Sequence, residues 1–130
     1  MVSGVKDALE MKITEVEPDA VVFQAGGNDL WTSKSPLTLA NDIVGAGKMA
    51  VKFGAKVAIS SILPRSDFHL NLKRWETNIL ISGLCLSNNI TFIDNKEIIV
   101  QKHLLKDGVH LNKSGTQLFS SNIINCLNKM

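Results

Sequence analysis

The sequence has little cysteine and lacks the spacings that usually hold metal ions. Cys85 and Cys126 are the only cysteines in 130 residues. Each stands alone in an apolar segment, so we predict that both are reduced and buried, as is usual in the cytoplasm. There is no CxxC or HxxxH pair, and His69, His103 and His110 are not at metal-ligand spacing. We therefore expect no metal site and a cytoplasmic location.

Long apolar runs and basic blocks are also missing. No apolar stretch approaches the length of a membrane-spanning helix. The first 13 residues, MVSGVKDALEMKI, lack the basic and apolar regions of a signal peptide. Lys and Arg are scattered, the net charge is +2, and no basic block is interleaved with aromatic residues. The sequence thus predicts no membrane span and no nucleic-acid partner. Its length and composition fit a single globular domain over residues 1–130.

Apolar patterning predicts alternating strands and helices. Three short runs rich in β-branched residues lack strict alternation, which is typical of strands covered on both faces of a parallel sheet. The predicted strands are 20–25, 56–63 and 89–94, and the predicted helices are 4–16, 37–53, 71–87 and 114–127. The expected inner faces of the last three helices are Leu39, Ile43, Met49 and Phe53; Leu72, Trp75, Ile79 and Leu84; and Phe119, Ile123, Ile124 and Leu127. This order predicts an α/β fold with helices on both faces of an open parallel sheet.

Two polar motifs stand at the predicted junctions of strands and helices. Gly26-Gly27-Asn28-Asp29 follows the first predicted strand, and Asp107 precedes His110 by three residues before the last helix, which Asn112 or Ser114 is expected to cap. Either motif alone is also an ordinary turn sequence. However, ligands bind at the carboxyl ends of parallel strands, where both motifs should meet. A carboxylate at Asp107 can fix the tautomer of His110 and leave the other ring nitrogen as a general base.

With these two motifs, the chain resembles the SGNH hydrolases, also called GDSL-type esterases and lipases. The family's third motif block, G-x-N-D, matches Gly26-Gly27-Asn28-Asp29, and its fifth block, D-x-x-H, matches Asp107-Gly108-Val109-His110. Gly4 falls where the glycine of the second block is expected. The resemblance covers nearly the whole chain, from about residue 2 onwards. It implies a three-layer, flavodoxin-like α/β/α fold.

The resemblance also implies a function and a role for each matched residue. It implies hydrolysis of small-molecule esters through an acyl-enzyme on serine, without a cofactor. His110 would be the general base and Asp107 its orienting carboxylate. Asn28 and the backbone N–H of Gly4 would form the oxyanion hole. The residues expected to support the loop around Asn28 are Gly26, Gly27 and Asp29.

The nucleophile that this resemblance requires is missing from the sequence. The family's serine lies in a G-D-S block on the first strand, upstream of the second-block glycine, and no such block occurs here. Ser60 and Ser61 are expected to be packed in a strand or bonded to backbone. Ser3 is nearest to Gly4 but is expected at a free terminus, and Ser33, Ser35 and Ser66 are expected at turns and N-caps. We therefore expect an N-terminally truncated hydrolase domain, and it stays open whether this chain is an enzyme.

Two interpretations from different classes remain. The first is a longer, active ester hydrolase of which this chain is a part. The second is a non-catalytic remnant or interaction module that retains the hydrolase scaffold. A nucleotide binder is disfavoured because no Gly-rich phosphate loop follows a strand. If the first two strands of the 2-1-3-4-5 order are absent, the strand at 20–25 becomes a sheet edge, through which we expect self-association.

Overall fold

A computed structural model describes residues 19–24 and 26–130 of the chain. The predicted helix at 4–16 and the proposed oxyanion residue Gly4 lie outside the described residues. The strands are β1 (Ala20–Phe23), β2 (Lys56–Ser60) and β3 (Thr91–Ile93). The helices are α1 (Pro36–Lys52), α2 (Phe68–Ser87), α3 (Val100–His103) and α4 (Lys113–Lys129), and a 3-10 turn spans Asn28–Trp31.

The three strands form one parallel sheet in the order β1-β2-β3. Val22 lies opposite Ala58 in the β1–β2 pair, and Ile59 lies opposite Phe92 in the β2–β3 pair. Within the described residues β2 is central, and β1 has a neighbouring strand on one side. Each predicted strand is present but shorter than expected: β2 ends at Ser60 rather than at residue 63, and β3 begins at Thr91 rather than at residue 89.

The sheet is covered on both faces, as the uninterrupted apolar strands predict. Helices α1 and α2 pack on one face over a large core that includes Leu39, Ile43, Val44, Ile59 and Ile81. Helix α4 packs on the other face over a smaller cluster that contains Ala58, Ile93 and Cys126. Cys85 and Cys126 are free and buried, as expected. Burial raises the pKa of the Cys85 thiol to about 11, so it is an unreactive core side chain.

Three polar side chains fix where the long helices begin. The Ser35 side chain accepts a hydrogen bond from the Thr38 N–H, and Pro36 follows at the first helical position. The Asp67 side chain accepts from the Leu70 N–H at the start of α2. The Asn112 side chain accepts from the Gly115 N–H, so Asn112 rather than Ser114 caps α4. These caps satisfy backbone donors that a helix leaves free.

The predicted inner faces are only partly correct. Leu39 and Ile43 are buried, but Phe53 follows the end of α1 and is exposed, as are Ile124 and Leu127 on α4. The larger error concerns α2, where Leu72, Trp75 and Ile79 point to solvent. The residues buried on this helix are Leu70, Thr77, Ile81 and Cys85. Helix α2 carries apolar stripes on two opposite faces, and periodicity alone does not say which one meets the sheet.

The segment between β3 and α4, where the sequence predicts no helix, contains the short helix α3. None of the described helices has the length and apolar character required to cross a membrane.

Candidate active site

The loop after β1 places Asn28 at the carboxyl end of the strand. Gly26 has a φ of +100°, which favours glycine, and a Cβ there would meet the Cδ1 atoms of Ile43 and Ile62 at 2.9 Å. The chain turns at this point, and the Asp29 N–H donates to the Gly26 carbonyl at 3.1 Å. Asn28 is exposed at the start of the 3-10 turn. The two glycines therefore permit a tight turn that presents an amide side chain to solvent.

Asp29 faces the opposite way and is only 3% exposed. Its carbonyl accepts hydrogen bonds from the Thr32 hydroxyl at 2.7 Å and from the Thr32 N–H at 3.1 Å. Lys73 of α2 donates to the carbonyls of Leu30 and Thr32, which fastens the far end of the same turn. The buried carboxylate oxygen Oδ1 of Asp29 has no hydrogen-bond partner within the described part of the chain.

The second motif folds as a turn around the Asp107 carboxylate. Asp107 Oδ1 accepts from the N–H groups of Val109 at 2.9 Å and His110 at 3.0 Å. Asp107 Oδ2 lies 2.6 Å from His110 Nδ1. Gly108, between them, has a φ of +70°, a conformation that favours glycine. The expected contact between the carboxylate and the imidazole is thus present, and it is made through Nδ1 of the ring.

These hydrogen bonds change the acidity of Asp107. The hydrogen bond with the His110 side chain, followed by those from the backbone N–H groups of His110 and Val109, lowers the pKa of the Asp107 carboxyl to about 2. The carboxylate is therefore ionised throughout the physiological pH range. Both side chains are open to solvent, with 75% of His110 and 46% of Asp107 exposed. The pair therefore lies at the surface of the described part of the chain.

The loop after β2 connects the two motifs. The Ser66 N–H donates to the Gly108 carbonyl at 3.0 Å, and the Ser66 side chain lies against the Gly108 Cα. A Cβ on Gly27 would stand 2.6 Å from Nη2 of Arg65, so the Arg65 guanidinium lies directly on the Gly27 backbone. The structure thus brings both motifs to the carboxyl edge of the sheet, on either side of residues 64–66. Sequence reasoning did not find these contacts. The sequence feature that could have indicated them is glycine at positions 27 and 108, where a Cβ would collide with Arg65 or Ser66.

Ser60, the last residue of β2, and the following Ser61 belong to a buried polar cluster. Asn95 donates from Nδ2 to the hydroxyl oxygen of Ser60 at 2.7 Å and of Ser61 at 3.1 Å. The Ser61 hydroxyl also accepts from the Asn95 N–H at 2.9 Å, and Asn122 donates to Asn95 Oδ1. Ser60 and Ser61 are 1% and 3% exposed. This burial and these hydrogen bonds confirm the prediction that the two serines are packed or bonded.

Ser35 and Ser66 are two of the serines expected at turns and N-caps. Ser35 is the N-cap of α1, whereas Ser66 precedes Asp67, the true N-cap of α2.

Within the described residues, no three side chains of His, Cys, Asp or Glu cluster closely enough to hold a metal ion.

Several solved structures of GDSL-like lipases and esterases share the architecture of this chain. The GDSL-like lipase from Bacteroides thetaiotaomicron VPI-5482 superposes with a TM-score of 0.86 at 21% identity, over 99% of this chain and 71% of the lipase. The chain has the fold of a GDSL-type hydrolase. The M. smegmatis aryl esterase (TM-score 0.80, 18% identity) matches over 98% of this chain and 67% of its own. A carbohydrate esterase family 3 protein from Talaromyces cellulolyticus (TM-score 0.80, 20% identity) matches over 99% and 67%.

The GDSL-type fold confirms the α/β architecture expected from the sequence. The structural match extends over almost the whole chain, although no family model and no curated protein matches its sequence. The parallel order β1-β2-β3 is compatible with strands 3, 4 and 5 of the flavodoxin-like order 2-1-3-4-5.

Proposed function

We propose that this chain carries the general base and the oxyanion-stabilising part of a GDSL-type ester hydrolase site. The observation that supports the proposal most directly is the 2.6 Å contact between Asp107 Oδ2 and His110 Nδ1. Residues 64–66 join the turn of this pair to the loop that presents Asn28. Acyl transfer requires a base, a carboxylate that orients the base, and an N–H donor for the oxyanion. His110, Asp107 and Asn28 are groups of these kinds at the carboxyl edge of the sheet.

The proposed roles follow from this arrangement. Asp107 holds Nδ1 of His110, so Nε2 takes the proton of a serine hydroxyl as its oxygen attacks the ester carbonyl. Asn28 donates a hydrogen bond to the oxyanion, and the backbone N–H of Gly4 is the second proposed donor. His110 then gives the proton to the leaving alcohol, and water releases the acid from the serine in a second step. Gly26, Gly27 and Asp29 hold the Asn28 loop, and the proposed substrate is a small ester.

The nucleophile is the part that these residues do not supply. Ser60 and Ser61 are buried, and Ser35 caps a helix. We therefore expect the 130-residue chain to hydrolyse short p-nitrophenyl esters no faster than its His110→Ala variant. It should also resist covalent labelling by a fluorophosphonate. Stoichiometric labelling of any serine, located by mass spectrometry, would contradict this expectation and identify a substitute nucleophile.

A chimera tests the proposed base and oxyanion donor directly. An N-terminal segment of a GDSL esterase that ends its strand in Gly-Asp-Ser is placed ahead of this chain. Esterase activity should appear, and His110→Ala should abolish it. Asn28→Ala should lower kcat by about 10²–10³-fold, the usual loss for one oxyanion donor. Substitution of the exposed Asn125 by Ala is the matched control. A folded, fluorophosphonate-reactive chimera whose activity is independent of His110 would refute the assignment.

The second candidate function is an interaction module that retains the scaffold without catalysis. The exposed apolar residues Phe68, Trp75 and Ile79 on α2 favour it. A folded chimera that gains no activity, although fluorophosphonate labels its serine, would support this alternative.

A further inference from the structure

Helix α2 carries a second apolar stripe that the fold does not use. Its members, called here the outer stripe, are Phe68, Leu72, Trp75, Ile79 and Leu86, and they are 69%, 47%, 59%, 52% and 87% exposed. They lie opposite the buried residues Leu70, Thr77 and Ile81. A helix that is apolar on two opposite faces is normally covered on both. The outer stripe therefore needs a partner that the described residues do not supply.

The spacing of the outer stripe identifies the shape of that partner. Successive members are 4, 3, 4 and 7 residues apart, which is the heptad spacing of a helix that packs along another helix. The small residue Ser82 occupies the heptad position between Ile79 and Leu86. The stripe runs along almost the whole of α2, from its first residue, Phe68, to Leu86 beside its end.

The stripe is also complementary to itself. Its positions are symmetric about Thr77, so two antiparallel copies of α2 related by a two-fold axis place Phe68 against Leu86 and Trp75 against Ile79. The same operation places Leu72 against the small Ser82. A two-fold interface uses one patch on both subunits, and this patch satisfies that requirement along its full length.

The exposed area and a neighbouring groove fit a dimer. The outer stripe exposes on the order of 600 Å² of side chain, most of the roughly 800 Å² that each partner buries in a standard interface. A groove of about 660 Å³ runs beside it, between α2 and the residues after β3. Trp75 and Ile79 form one wall of this groove, and Phe92, Ile98 and Ile99 are among its other lining residues.

The charges beside the stripe disfavour a membrane surface. Helices that lie on membranes carry Lys and Arg along the polar side of the apolar face. Here Lys73 donates to the carbonyls of Leu30 and Thr32, and Arg74 donates to Asn71 Oδ1, so both point back into the fold. The exposed residues beside the stripe include His69 and Glu76.

We propose that the outer stripe is the interface of a homodimer in which two α2 helices pack antiparallel about a two-fold axis that crosses the stripe at the level of Thr77 along the helix. This proposal is independent of catalysis. Glu76 of one chain lies beside Glu76 of the other chain near the axis, where their negative charges repel each other. Glu76→Gln removes this repulsion and is therefore expected to strengthen association a few-fold.

Sedimentation velocity of the 130-residue chain from about 1 to 200 μM tests the interface, because interfaces of this size commonly have dissociation constants in or below that range. The chain should form dimers, and Trp75→Glu or Ile79→Lys should make it monomeric while its thermal unfolding remains cooperative. Leu127→Glu, at a similarly exposed leucine on α4, should remain dimeric. A wild-type chain that stays monomeric at the highest concentration overturns the proposal. Association that Trp75→Glu leaves intact also overturns it.

Spin-label distances test the antiparallel arrangement. In a background without Cys85 and Cys126, labels at position 76 should lie about 10–20 Å apart across the axis, given helix axes 8–10 Å apart. Labels at Ser87 should lie about 30 Å apart, because 20 residues of helical rise separate them. Short distances at both positions would indicate a parallel pair and overturn the arrangement. Binding to neutral or anionic vesicles by a monomeric chain, lost in Trp75→Glu, would overturn the dimer in favour of a membrane.

Discussion

At the scale of single residues, the contacts that sequence reasoning found are those between near neighbours in the chain. Asp107 and His110 are three residues apart, and a turn between them allows the carboxylate to reach Nδ1. The contact of Arg65 with Gly27 joins residues 38 positions apart. No local sequence pattern predicts such a contact, because it depends on how the sheet positions the carboxyl ends of its strands relative to one another.

The Asp107–His110 contact predicts an unusual titration. The pKa of Asp107 is lowered to about 2 from the ordinary 3.8, first by the hydrogen bond with the His110 side chain. Because the folded pKa is depressed, the contact is fully formed above the ordinary value and is lost as the pH falls through about 2. Carbon-13 NMR of the Asp107 carboxyl should report this midpoint. In His110→Ala the midpoint should move up towards the ordinary value, and an unchanged midpoint would show that the imidazole makes no contribution.

At the scale of secondary structure, the sequence predicted where the helices lie better than which way they face. The caps Ser35 and Asn112 and the proline at 36 mark helix starts locally, and α1, α2 and α4 begin within three residues of their predicted positions. The face of α2 was wrong because Leu72, Trp75 and Ile79 form the more regular apolar stripe. The buried stripe of the same helix includes Thr77 and Cys85, which a hydrophobic pattern weights less.

Asn95 joins two strands to a helix and predicts a measurable loss of stability. Its amide binds the buried hydroxyls of Ser60 and Ser61 at the end of β2 and accepts from Asn122 of α4. Asn95→Ala should lower the free energy of unfolding by about 2–3 kcal/mol, because buried polar groups lose their partners. Urea denaturation measures this loss. Asn125→Ala, an exposed change on α4, should stay within about 0.5 kcal/mol of the wild type. Equal losses in both variants would show that the cluster adds no specific stability.

At the scale of the whole molecule, alternation of strands and helices was sufficient to predict a parallel sheet with both motifs at one edge. Alternation does not specify which strand lies at the edge of the sheet. The expectation that β1 is the edge came from the resemblance to GDSL-type hydrolases. Within residues 19–24 and 26–130, β1 pairs with β2 alone. Self-association through β1 therefore remains a proposal, distinct from the interface on α2.

A matched pair of proline substitutions tests whether β1 is a true edge. Ala20 lies opposite Lys56, and the Lys56 N–H donates to the Asp19 carbonyl at 2.9 Å. In a parallel ladder this pattern directs the N–H of Ala20 away from β2. Proline is tolerated at an edge position of that kind, so Ala20→Pro should cost no more than about 1 kcal/mol. Ala58→Pro, in central β2, removes a ladder hydrogen bond and should cost about 3 kcal/mol or more. Urea denaturation compares the two variants. If Ala20→Pro is as damaging as Ala58→Pro, another segment pairs with β1, and the exposed edge cannot be a surface for self-association.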